Sequence, residues 1–167
     1  MHISNASTPL LPAVLSIYFA GDANSKKNLL AKIFLAAIGS LFLTISAKVQ
    51  VPFYPVPMTM QTLVVLLIGM SYGLSLGAMT IGLYIMQGVF GLPVFANGGG
   101  VGYLIGPTGG YIVGFLISSI LLGFLANRGW GKTWKTTAIA MILGVCIIFL
   151  IGVSWLSVYI GLMPAIL

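Results

Sequence analysis

The chain has 167 residues, of which 59% are hydrophobic and 5% charged, with a mean hydropathy of +1.15. A soluble domain carries about 25% charged residues, so a soluble fold is excluded, and uninterrupted rather than alternating apolar runs argue against a β-barrel. The net charge of +6 comes from seven basic residues scattered through an apolar chain, which points to membrane topology rather than nucleic-acid binding.

The side-chain inventory narrows the chemistry as well. Asp22 is the only acidic residue, His2 the only histidine and Cys146 the only cysteine. Paired carboxylates, a metal cluster and a Ser-His-Asp triad are therefore unavailable within one chain, which excludes most enzyme chemistry and any bound metal. No disulfide can form within the chain, and Cys146, in mid-span, is expected to be a buried structural thiol.

In chain order, residues 1–28 form a cytoplasmic or interfacial segment. Its apolar run Leu10–Ala20 is too short to span and is interrupted by Pro12. The transmembrane domain is expected from 29 to 167. Span one is predicted at Leu29–Ala47, with Ala36, Ser40 and Thr44 making a face of small residues suited to close helix packing, within the chain or against a partner. Lys48 ends it. Three prolines in Pro52-Phe53-Tyr54-Pro55-Val56-Pro57 then force an extended, stiff connection, and Thr59 is placed to cap the next helix.

From Met58 to Phe90 the sequence is apolar for longer than one span needs. A break at Gly69-Met70-Ser71-Tyr72-Gly73 gives span two at Thr59–Met70, short for a full crossing, and span three at Gly73–Phe90. Gln61 and Gln87 are costly inside a span unless paired, so each is a ligand contact or an interhelical hydrogen bond. Span four is predicted at Thr108–Ala126. The stretch Asn127–Lys135, with three cations and two tryptophans, marks a water–membrane boundary. Span five is predicted at Thr136–Val158, followed by a turn at Tyr159, Gly161 and Pro164.

Between spans three and four lies Gly91–Gly106, rich in glycine and carrying Pro93, Asn97 and Tyr103, with Pro107 and Tyr111 just beyond. Irregular backbone at membrane depth persists only where it is buried in protein or lines a cavity. With a cytoplasmic N-terminus, Lys26, Lys27, Lys32, Arg128, Lys132 and Lys135 fall inside and Lys48 alone outside, a strong positive-inside bias. The proline- and glycine-rich stretches 48–58, 91–107 and 159–164 then share the outer face.

A pocket there would be nearly uncharged. Its polar offerings are the backbone of Asn97, Gly98, Gly99 and Gly100, the side-chain amides of Asn97 and Gln61, and the hydroxyls of Tyr84, Tyr103 and Tyr111; Phe53, Val94 and Phe95 could supply apolar walls. Gly106-Pro107-Thr108, at the start of span four, adds a helix N-terminus. A small amphipathic molecule with amide-like edges suits such a site.

Three blocks carry a resemblance to a known family: Pro55-Val56-Pro57-Met58-Thr59-Met60-Gln61-Thr62-Leu63, Gly91-Leu92-Pro93-Val94-Phe95, and Gly106-Pro107-Thr108-Gly109-Gly110-Tyr111. In this order and spacing they closely resemble the BioY family, the biotin-binding S components of energy-coupling-factor transporters. The resemblance implies an all-α integral membrane protein of the bacterial cytoplasmic membrane, a helical bundle of the S-component type. Five spans are visible here, and the family's sixth helix is missing.

The resemblance also implies biotin as ligand with no cofactor, a coupling transmembrane subunit and two cytoplasmic ATPases as partners, and a loop at Asn97 acting as a lid. The small residues Ala36 and Ser40 would meet the coupling subunit. Two departures stand out. The glycine loop is one residue shorter than the family pattern, and the sequence ends at Leu167, before the aspartate and lysine that open the family's sixth helix. A truncated, non-transporting remnant or assembly protein is thus an alternative reading, and an S component for another vitamin a third.

Overall fold

A computed structural model describes residues 25–162. The expected interfacial run Leu10–Ala20, with Asp22, lies outside the described residues, as does Pro164. Helix α1 spans Ser25–Lys48. A small antiparallel ribbon follows, β1 at Gln50–Val51 and β2 at Met58–Thr59, with Gln50 opposite Thr59 and Val51 opposite Met58. Helix α2 spans Gln61–Val89, the short α3 Val101–Ile105, α4 Gly109–Asn127 and α5 Trp134–Leu162.

Four of these helices, α1, α2, α4 and α5, are long and apolar enough to cross a membrane. Helix α2 is not one straight rod, however. Its Gly73 has φ 75° and ψ −175°, a left-handed conformation that costs glycine little and other residues much. The chain reverses there. The Gln61 side chain meets Tyr84 at 2.6 Å, and a Cβ on Gly77 would lie 3.7 Å from the Gly69 Cα; a straight helix would separate Gln61 and Tyr84 by roughly 34 Å. So α2 is a hairpin of two antiparallel legs, and the five legs expected from the sequence are present.

The first leg, Gln61 to Tyr72, is about 18 Å long at 1.5 Å per residue, well short of a hydrocarbon core of roughly 30 Å. The ribbon leads directly into this leg, and the Gln61–Tyr84–Val94 hydrogen bonds bring the 91–107 segment to its start. That segment is not wholly irregular as expected, since α3 forms inside it.

Glycines let the helices close on one another. A Cβ on Gly123 would lie 2.6 Å from the backbone of Gly73 and Leu74, and one on Gly110 would lie 2.2 Å from the Trp155 Cβ. These contacts seat α4 between α2 and α5. The apolar core runs through Val65, Leu66, Ile81, Leu122 and Ile148. Helix α1 packs on α2, where the buried Ser40 hydroxyl hydrogen-bonds the Gln87 side chain. Gln87 thus makes an interhelical bond, the second of its two readings.

Two expectations are corrected here. Ala36 and Ser40 are each only 1% exposed, so the small-residue face of α1 packs within the chain and offers no open surface to a partner. Cys146 is exposed rather than buried, because it lies on the outward face of α5. Span five is also longer than predicted, with α5 continuing to Leu162 through the expected turn at Tyr159 and Gly161.

The two ends of the bundle differ in character. At one end lie the starts of α1 and α5 and the segment Arg128–Lys132, with Gly131 beside Met70 near the α2 reversal. At the other lie Lys48, the ribbon and the 91–107 segment, joined by hydrogen bonds from Lys48 to Phe95 and from Gln50 to Asn97. Six of the seven cations therefore belong to the first end and only Lys48 to the second.

Candidate functional site

The site is built at the Lys48 end, and its frame is the 91–107 segment. Phe95 organises it. The Phe95 ring is 1% exposed, stacks on Tyr103 at 4.8 Å and meets Tyr84 edge-on at 5.4 Å. It occupies the place where Gly88 has no side chain, for a Cβ there would lie 2.0 Å from the ring. Such aromatic pairs add about 0.5–1.5 kcal/mol beyond burial. The backbone is fixed as well: Gly100 N–H donates to the Gly88 carbonyl at 2.7 Å, and Phe95 and Gly98 exchange bonds at 2.9 and 3.4 Å.

Two residues at and just beyond the end of α1 tie this loop down from the side. The Lys48 ammonium donates to the Phe95 carbonyl at 2.7 Å and reaches the Ala96 carbonyl at 3.5 Å. Gln50 Nε2 donates to Asn97 Oδ1 at 3.2 Å. On the far side, Trp155 Nε1 donates to the Gly106 carbonyl at 3.0 Å and holds the corner before α4 against α5.

Between these ties lies an open cavity of about 160 Å³. Val56, Pro57, Met58, Thr59, Gln61 and Thr62 form one wall; Phe95, Ala96 and Tyr103 belong to the loop; Thr108, Tyr111, Ile112 and Phe115 come from α4 and its start, and Phe149 from α5. The lining holds no Asp, Glu, His, Lys or Arg. The walls are mainly apolar and aromatic, interrupted by the Gln61 amide and the hydroxyls of Thr59, Thr62, Thr108, Tyr103 and Tyr111. This is the make-up of a small-molecule site whose few polar groups set orientation.

Gln61 is the most firmly held of these groups. It is 6% exposed; its Nε2 donates to the Tyr84 hydroxyl at 2.6 Å, and its Oε1 accepts from the Thr59 hydroxyl at 3.3 Å. The Tyr84 hydroxyl in turn donates to the Val94 carbonyl at 3.1 Å. The residue at the helix N-cap is Met60, with no side-chain cap; Thr59, expected there, lies one residue earlier in β2, and its Oγ1 accepts the Gln61 backbone N–H at 3.4 Å.

Of the residues expected at a site, Gln61, Phe95, Tyr103 and Tyr111 line the cavity together. Tyr84 stands behind Gln61, 1% exposed, and does not line it. Asn97 is exposed and bonded to Gln50. Gly98, Gly99 and Gly100 support the loop rather than the cavity: the Gly98 and Gly100 amides are spent on Phe95 and Gly88, and Gly99 presses on the Leu92 carbonyl, where a Cβ would come within 2.2 Å. Phe53 is 57% exposed and Val94 is buried, both outside the lining. The amide of Gly109, just after Gly106-Pro107-Thr108, is bonded to the Gly106 carbonyl at 3.1 Å. The sequence reading missed Thr62, Ile112, Phe115 and Phe149, whose helical spacing is that of ordinary core positions. Val56 and Pro57 lay in a quoted block but read only as a stiff connector.

The chain's similarity to known proteins bears on this cavity. The BioY family profile matches residues 20–167. A relative described as a probable biotin transporter BioY, from Pyrococcus horikoshii, is 38% identical over 128 residues, 76% of this chain and 75% of the relative. The biotin transporter BioY of Thermotoga maritima is 35% identical over 126 residues, 75% of this chain and 73% of the relative. Among solved structures, the S-component for biotin from an ECF-type ABC transporter superposes with a TM-score of 0.73 at 25% identity, covering 83% of this chain and 78% of that one.

Proposed function

The chain belongs to the BioY family, and from that premise we propose that it is the membrane subunit that captures biotin from outside the cell for ATP-driven uptake. The single observation that carries this reading is the cavity at the Lys48 end, neutral and largely apolar, with a fixed amide and several hydroxyls on its walls. Biotin is a match in chemical terms: its ureido ring carries N–H donors and a carbonyl acceptor, and its thioether ring and aliphatic chain are apolar. Aromatic walls at Phe95, Tyr103, Tyr111 and Phe149 suit the apolar part.

Charge supports the orientation. Placing the cation-rich end in the cytoplasm satisfies the positive-inside bias and turns the cavity outward. Capture alone does not drive uptake, and this sequence has no G-x-x-x-x-G-K-[ST] phosphate loop. The energy then comes from other chains, a coupling transmembrane subunit with two cytoplasmic ATPases.

Cells lacking their own biotin transporter, given this gene together with a coupling module, test the reading. Labelled biotin should accumulate above the level of cells carrying the module alone. Equal accumulation would contradict it.

A further inference from the structure

We propose that Tyr84 is a positioning residue that fixes the polarity of the cavity, holding the Gln61 amide with its carbonyl oxygen as the acceptor offered to ligand. The site then selects a ligand edge that carries an N–H donor. The inference rests on the reading of the cavity as a biotin site and adds to it how one edge of the guest is recognised.

Hydrogen-bond pairing fixes which way the Gln61 amide is turned. A carboxamide can turn over and exchange its donor and acceptor ends, so which end faces a ligand depends on its fixed neighbours. The Val94 carbonyl can only accept. The Tyr84 hydroxyl lies 3.1 Å from it and has one proton to give. With that proton spent, the hydroxyl can only accept from Gln61, 2.6 Å away, so the Gln61 atom on that side must be the nitrogen.

The other end of the amide is fixed by the same reasoning. The Thr59 hydroxyl accepts the Gln61 backbone N–H at 3.4 Å and has its proton free for Gln61 Oε1 at 3.3 Å. Thr59 and Gln61 both line the cavity and Tyr84 does not. The nitrogen is thus turned toward the hidden partner and the oxygen toward the lining one. That oxygen has two lone pairs, of which Thr59 uses one. Burial makes the arrangement costly to reverse, because a turned amide would set Gln61 Oε1 against a Tyr84 oxygen that has no proton left.

The test compares three ligands of nearly equal size: biotin and its two cyclic carbamate analogues, in which oxygen replaces one ureido N–H or the other. Equilibrium affinities are measured for the purified full chain and for Tyr84→Phe and Gln61→Met. The wild type should prefer biotin over one of the two analogues by at least about tenfold, since a site built around a donor rejects a ligand that lacks it. Tyr84→Phe releases the amide to turn, and the preference should fall at least about fivefold. Gln61→Met should abolish it, and Tyr84→Phe added to Gln61→Met should change it no further.

A merely structural role for Tyr84 would lower stability and leave the ratio of affinities untouched. An unchanged ratio in Tyr84→Phe overturns the proposal. If that variant does not fold, a preference that persists in Gln61→Met overturns it equally. Saturable binding of biotin by the wild type with no preference over either analogue overturns this inference and leaves biotin capture standing. No binding of biotin at all overturns both.

Discussion

The Lys48 ammonium lies 2.7 Å from the Phe95 carbonyl, so the last residue of α1 is joined to the residue that anchors the loop over the cavity. Lysine at a helix C-terminus often serves the helix's own last carbonyls; here it serves another segment, 47 positions away. A single side chain therefore links a peripheral helix of the bundle to one wall of the site.

Lys48→Met removes that link while keeping the aliphatic stem. Lys48 is exposed, so its bond is screened by water and contributes modestly, about 0.5–1.5 kcal/mol. The expected result is a severalfold weaker affinity for biotin, measured by titration calorimetry in detergent, with little change in thermal stability. An affinity equal to wild type would show that the loop keeps its place without Lys48.

Gly88→Ala tests the seat of Phe95. The added Cβ would come within 2.0–2.6 Å of the Phe95 ring, so the ring must leave its place between Tyr84 and Tyr103. Overpacking of this kind costs about 1–3 kcal/mol. Thermal unfolding should show a lower midpoint, and biotin affinity should fall with it, because the same ring walls the cavity. Wild-type values for both would mean that the loop seats Phe95 elsewhere.

A pair of substitutions tests the α2 hairpin. Gly123→Ala places a Cβ 2.6 Å from the backbone of Gly73 and Leu74, which cannot rotate away, and should destabilise by about 1–3 kcal/mol. Gly82→Ala, in the second leg of the same helix, meets nothing within 4 Å. It should be neutral or stabilising by up to about 1 kcal/mol, since alanine is the better helix former. Equal effects at the two positions in thermal unfolding would argue against the close reversal at Gly73.

Sidedness is checked by labelling single cysteines at positions 97 and 132 in a Cys146→Ser background with a membrane-impermeant maleimide. Position 97 belongs to the cavity end and position 132 to the cation-rich end. Intact cells should label at 97 and not at 132, and inverted vesicles the reverse. Labelling of both from one side would contradict the bundle's polarity.

Much of this fold was legible in the sequence because its signals are local. Glycine at position 73 between two apolar runs marked the reversal, and the spread of cations the two ends; the prolines at 52, 55 and 57 read as an extended connection, whereas the chain folds back there to pair Val51 with Met58. The site was legible where a polar residue interrupts an apolar run, as Gln61 does. It was not legible at Phe149 or Phe115, whose role depends on which face of a helix meets which neighbour. Asn97 and the glycines after it drew attention by composition, yet the backbone amides of Gly98 and Gly100 are used inside the loop. The small residues of α1 showed a face made for close packing, but its partner, α2, is set by tertiary structure alone.

Biotin capture itself is tested most directly by equilibrium binding of labelled biotin to the purified chain. The expected result is saturable binding at one site per chain with micromolar or tighter affinity, about 8 kcal/mol or more of binding free energy, and an upward shift of the unfolding midpoint as ligand is added. Binding that does not saturate, with an unfolding midpoint indifferent to biotin, would contradict it.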